Sequence, residues 1–169
     1  MTERPELRTQ PAPRSTVRFS VIVPTYQRPA HIAACLAALR RVERPGGELE
    51  VVVVNDGGDA PPASLVDGAH DDSFSVRVIN QNNAGPGPAR NAGAAVARGE
   101  MLAFTDDDCV PATGWLRGLL DTSRTAEVVQ GLIEPDPDQL ARSGPFSRTL
   151  RAEEAKFFQT ANVLYPRPL

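Results

Sequence analysis

Lysine is nearly missing from this chain: Lys156 is the only one, and arginine supplies the rest of the 18 basic residues. With 21 acidic residues the net charge is −3, so there is no broad basic field for nucleic acid to bind. Arginine does suit phosphate, because its planar fork meets two oxygens at once. Cysteine is scarce too. Cys35 and Cys109 form no CxxC pair, which argues against a disulfide framework and a cysteine-built zinc site. A reducing cytoplasm is the expected compartment, with the inner face of the membrane as a compatible workplace. There is no apolar run of about 18 residues, the length a membrane-spanning helix needs. The opening MTERPELRTQPAPRSTVR is polar and proline-bearing, unlike a signal peptide.

What is present suits a single domain. The 169 residues are 41% hydrophobic, enough for a real core, and no internal repeat is visible. Residues 1–17 read as a disordered leader and 18–169 as the folded domain. Phe19 to Val23 is a short β-rich run, which Pro24 is expected to end. Pro29 then opens a helix whose apolar face is Ile32, Cys35, Leu36 and Leu39, at helical spacing. Leu49 to Val54 carries four consecutive valines without polar alternation, the pattern of a strand covered on both faces. A third strand is expected near Val76–Ile79 and an alanine-rich helix over Pro88–Arg98. A fourth strand over Met101–Phe104, a helix over Gly114–Leu120 and a fifth strand over Glu127–Gly131 follow. Strands alternating with helices predict an α/β fold, a Rossmann-like, mostly parallel sheet flanked by helices.

In such sheets ligands bind beyond the carboxyl ends of the strands. Three polar clusters fall there: Thr25-Tyr26, Asn55-Asp56 and Asp106-Asp107-Asp108. Adjacent carboxylates repel, and a hard divalent cation such as Mg²⁺ or Mn²⁺ relieves that repulsion. If the strand alternation continues, Asp106 and Asp108 aim at one metal and Asp107 points elsewhere. A solvated acidic turn is the plainer alternative. Asp56 is placed to accept from a base N–H or a ribose hydroxyl, although Asn-Asp-Gly-Gly is good turn chemistry in its own right. Gly85 to Asn91 opens a helix, where a diphosphate is favoured and Arg90 could pair with it. A surface salt bridge is the plainer role for Arg90. His31, His70, Cys35 and Trp115 read as structural or solvated. Cys109 adjoins carboxylates that would raise its thiol pKa, which makes it a poor nucleophile.

Four blocks then occur in order: SVIVPTYQR from Ser20, EVVVVNDGG from Glu50, NAGPGPARNAG from Asn83 and FTDDDCVP from Phe104. Together they resemble the family 2 glycosyltransferases of the GT-A fold, over about residues 18–169. The resemblance implies a nucleoside-diphosphate-sugar donor, a hydroxyl acceptor (carbohydrate, lipid-linked or other) and Mg²⁺ or Mn²⁺. It implies that Pro24, Thr25 and Tyr26 line the base, with Arg28 and Asn83 in the same donor-binding blocks. Asp56 would recognise uracil, and Arg90 would lie near the pyrophosphate. Asp106-Asp107-Asp108 is similar to the DXD motif, with Asp108 on the metal, Asp106 on ribose or a metal-bound water, and Asp106 and Asp107 both among the nucleotide-sugar-binding residues. Two departures stand out. Gln27 replaces the family's usual asparagine, and the chain stops at Leu169, ahead of the glycine-rich segment and the acidic motif that supplies the base. The domain is therefore expected to be incomplete, with the catalytic residue unknown, because Glu153 and Glu154 precede the Asn162 segment and do not fit. The reaction implied is an inverting displacement. The alternatives are a non-catalytic nucleotide-sugar-binding module and a D-x-D-x-[T/V] phosphatase built on Asp106 to Val110.

Overall fold

The computed structural model describes residues 17–59, 73–137 and 160–167. Its strands are β1 (Val17–Thr25), β2 (Glu48–Asn55), β3 (Phe74–Asn80), β4 (Met101–Thr105), β5 (Val129–Gln130) and β6 (Asn162–Pro166). Its helices are α1 (Pro29–Leu39), α2 (Pro86–Val96) and α3 (Trp115–Thr122). The sheet runs β3-β2-β1-β4-β6-β5. The first four strands in that order are parallel, while β6 lies antiparallel to both β4 and β5.

The valine run explains the layering. Val51 and Val53 of β2 face a core shared with Phe19, Val21, Val23 and the buried side of α1. Val52 and Val54 face the opposite core, with Ile22, Leu102, Phe104 and Ala89 of α2. Alternate side chains enter opposite layers, so both faces need apolar residues. The α1 face is as expected, with Ile32, Cys35, Leu36 and Leu39 all buried. On the other face α2 packs very close to the sheet. A Cβ on Gly93 would come within 3.0 Å of the Ile22 and Val54 side chains, which is why this helix carries glycine in its middle.

Several boundaries differ from expectation. Val17, assigned to the leader, is buried and opens β1; residues 1–16 lie outside the described residues. Pro24 does not end that strand. The Thr25 carbonyl accepts the Asp56 N–H on the β2 side, so the alternating backbone turns Pro24 toward β4. Pairing with β4 has already stopped at Ile22–Phe104, and the missing N–H costs no ladder bond. Helix α2 starts two residues early, because Pro86 suits a first helical position. It also ends two early, because the Arg98 N–H is taken by the Glu50 carboxylate. The fifth strand shrinks to two residues. The unexpected β6 separates it from β4, anchored by Tyr165 stacking on Phe104 at 5.4 Å. Among the described residues no helix is long and apolar enough to cross a membrane.

Candidate functional site: a donor cradle at the strand ends

Chain order reverses between β1 and β4: from β1 the chain moves outward through β2 and β3, then returns to the far side of β1. Ligands settle in the crevice at such a switch point. Its two walls are Thr25 at the end of β1 and Asp106 to Asp108 after β4. They are joined directly, because Thr25 Oγ1 donates to Asp107 Oδ2 at 2.7 Å.

The strand stops at Thr105, and the aspartates form a turn closed by the Cys109 N–H donating to the Asp106 carbonyl at 3.1 Å. The expected split of Asp107 from Asp106 and Asp108 therefore arises from a turn and not from strand alternation. Asp106 has a partner of its own, while Asp107 and Asp108 share one. Asp106 pairs with Arg90 of α2. Asp107 takes Thr25 and, at 3.4 Å, Arg28. Asp108 takes the other approach of the same Arg28 nitrogen, at 3.3 Å. Side-chain exposure separates their roles: 34% for Asp106, 7% for Asp107 and 50% for Asp108. A ligand or cation arriving from solvent meets Asp106 and Asp108. Asp107 is turned inward as the support for Thr25 and Arg28. Among the described residues no three His, Cys, Asp or Glu side chains converge to cage a metal. One or two carboxylates still fit a cation that completes its shell with phosphate and water, as Mg²⁺ usually does.

Asp56 is buried and heavily bonded. Its Oδ1 accepts from Gln81 Nε2 at 2.7 Å and the Ala84 N–H at 2.9 Å, and its Oδ2 from the Gly85 N–H at 2.8 Å. Burial pushes its pKa up, but these three donors outweigh it and hold the carboxyl below the usual range. The residue therefore ties the end of β2 to the loop that starts α2, a role the turn reading did not anticipate. Asn83 lies in that loop, exposed and packed against Gly57. Beside Asp56 lies an open groove of about 630 Å³, lined by Asn55, Gly57, Gly58, Asn80, Gln81 and Asn82. Pro24 is buried in β1, while Tyr26 is 46% exposed at the mouth of the crevice.

Arg90 does form the salt bridge of the plainer reading, with Asp106, although its own side chain is only 14% exposed. Cys35 is core, its thiol raised to about 12 by burial first and by nearby Cys109 and the aspartates second. The Cys109 thiol is also raised, by burial and by Asp106 and Asp108. His31 is exposed, and His70, Glu153 and Glu154 lie outside the described residues.

Two supporting arrangements escaped sequence reading. Glu50, 1% exposed inside β2, accepts from Ser20, the Arg98 N–H and, at 2.8 Å, Arg98 Nε. Its only sequence signal is a carboxylate heading four valines. Asn162, opposite Thr105 in register, accepts from Trp115 Nε1 at 2.7 Å and donates to the Leu132 carbonyl at 2.8 Å. Trp115 is thus a packing residue with a polar tether.

Comparison with known proteins bears on the family and the fold. AglE, a glycosyltransferase of Haloferax volcanii, is 36% identical over 126 residues, 71% of this chain and 41% of that protein. TarS, the poly(ribitol-phosphate) beta-N-acetylglucosaminyltransferase of Staphylococcus aureus, is 36% identical over 93 residues, 54% of this chain and 16% of that protein. The crystal structure of TarS 1–349 with UDP-GlcNAc superposes with a TM-score of 0.69 at 23% identity, covering 89% of this chain and 46% of that one. The Pyrobaculum calidifontis mannosyltransferase PcManGT, in complex with GDP-Man and Mn²⁺, gives 0.67 at 24% identity, covering 95% and 47%. This chain thus spans less than half the length of each of these four. The fold is GT-A. The phosphatase alternative loses its footing, because its motif belongs on a first strand and Asp106 to Val110 follows the fourth. The family model for glycosyl transferase family 2 matches residues 20–166, covering every block of the cradle, and the chain belongs to that family.

Proposed function

We propose that this chain binds a nucleoside-diphosphate sugar, uridine diphosphate being the preferred carrier, and serves transfer of the sugar to an acceptor hydroxyl with inversion. The observation that carries the reading is the convergence of Asp56, Arg28, Arg90 and the exposed Asp106 and Asp108 around one switch point. The base lies against Pro24, Thr25 and Tyr26, with Asn83 and Asp56 on its edge. A carboxylate offers about four acceptor directions, and Asp56 spends three on protein donors. The one left matches the single N3–H of uracil better than the two-donor edge of guanine.

Arg28 and Arg90 hold the diphosphate, with Asp107 supporting Arg28 from below. Asp108 and Asp106 would hold a divalent cation, Mg²⁺ or Mn²⁺, which would supply Lewis-acid neutralisation of the leaving phosphates. The anomeric carbon–oxygen bond to the diphosphate breaks as the bond to the acceptor oxygen forms. The acceptor proton passes to a carboxylate base, a role assigned to no residue of this chain. A non-catalytic nucleotide-sugar-binding module shares this cradle and differs only in turnover. The scarce, unpaired cysteines favour a cytoplasmic setting.

Calorimetry of the chain with UDP and Mn²⁺ tests the donor site. Heat is expected for the wild type, with the metal-dependent part lost in Asp108→Ala. No heat, or unchanged heat in the variant, sinks the reading.

A further inference from the structure

We propose that Arg28 is a latch on Asp108, one that a divalent cation must displace and that a nucleoside diphosphate draws away, so that the two ligands bind cooperatively. The inference rests on the reading of Asp108 as a cation ligand. Arg28 stands at the N-cap of α1, just after Gln27, whose φ of 54° turns the chain sharply at that point. From there one guanidinium nitrogen spans two carboxylates nearly 80 residues away, Asp107 at 3.4 Å and Asp108 at 3.3 Å.

The two ends of this bridge differ. Asp107 is buried and keeps its 2.7 Å bond from Thr25 whether or not Arg28 stays. Asp108 is half-exposed, and Arg28 is its only ion-pair partner among the described residues. Removing Arg28 therefore leaves Asp108 with only a long contact from the Cys109 thiol, at 3.9 Å, while Asp107 stays held by Thr25. Both contacts are longer than the 2.7–2.9 Å usual for a charge-assisted bond, and the Arg28 side chain is 53% exposed. Such a pair is weak and quickly exchanged. A diphosphate offers the planar fork a better partner, with several oxygens in bidentate geometry. When the guanidinium turns to phosphate, Asp108 is released to the cation. When a cation takes Asp108, the guanidinium is released to phosphate. By linkage the coupling is equal in both directions.

The test is a titration of Mn²⁺ followed by the EPR signal of the free ion. It uses wild type, Arg28→Gln and Arg28→Lys, each with and without UDP, with unfolding midpoints confirming that the variants fold. In Arg28→Gln, Mn²⁺ alone is expected to bind up to about fivefold tighter than in the wild type, the range of an exposed ion pair. The factor by which UDP tightens Mn²⁺ is expected to shrink correspondingly. Arg28→Lys should fall between, because a point charge cannot span both carboxylates as well. Unchanged or weaker Mn²⁺ binding by Arg28→Gln, with UDP coupling intact, overturns the latch while leaving the donor site standing. No Mn²⁺ binding to any of the proteins, with UDP present, overturns both.

Discussion

Gln27 holds a left-handed backbone without glycine's freedom. Its side chain lies against Gly58, where a Cβ would sit 2.8 Å from Gln27 Cγ, so the two loops lock together. Asparagine tolerates this conformation better, since its short amide bonds locally. Gln27→Asn is therefore expected to stabilise the protein by up to about 1 kcal/mol, read as a higher denaturation midpoint. A lower midpoint would show that the contact with Gly58 outweighs the backbone strain. Individual roles were legible only in part. Asp56 and the aspartate run stand out because polar residues directly after buried strands need a reason. That Asp107 points away from Asp106 and Asp108 was expected, but its partners were not legible, because Thr25 and Arg28 are about 80 residues distant. The three donors on Asp56 were hidden likewise, two of them being backbone N–H groups of a loop.

Elements are joined below the cradle by Glu50, which ties β2 to Ser20 of β1 and to the segment between α2 and β4. Burial raises its pKa, but hydrogen bonds from Ser20 and Arg98 outweigh this and hold it below the usual carboxylate range. A carboxyl whose pKa is lower folded than unfolded gives stability that is complete above the unfolded value. That stability is lost as pH falls through the folded value. Glu50→Ala should cost about 2–4 kcal/mol near neutral pH, since Ser20 and the Arg98 N–H lose a buried acceptor. Its deficit should narrow as pH falls below the carboxylate range, measured by urea unfolding across pH. A deficit constant with pH would remove the charge from the explanation. On the other flank, Trp115→Phe deletes the donor to Asn162 and should cost about 1–3 kcal/mol. An unchanged midpoint there would mean the bond is replaced by water. Most elements were legible from apolar pattern: the valine run gave β2, and the four-residue periodicity gave α1. Strand β6 was not, because its pairing with β4 joins segments about 60 residues apart and its own sequence, Asn162 to Pro166, is short and proline-ended.

At the scale of the molecule, the strand order places the proposed donor cradle. Four parallel strands put Thr25, Asp56 and Asp106 to Asp108 at one edge, and the reversal beside β1 opens the crevice between them. The antiparallel β6, with β5 reversed again beside it, extends the sheet beyond β4, on the side away from Asp56. The alternation of strands and helices made the parallel part legible in advance. The antiparallel extension depends on long-range closure that no local pattern records. The central claim is that nucleotide and cation share this edge. The most direct measurement is manganese anomalous diffraction from crystals of this chain grown with UDP and Mn²⁺. One peak is expected on the Asp108 carboxylate, in contact with the diphosphate, with the uracil edge at Asp56. Manganese bound away from Asp106 and Asp108, or a nucleotide lying off the ends of β1, β2 and β4, would contradict it.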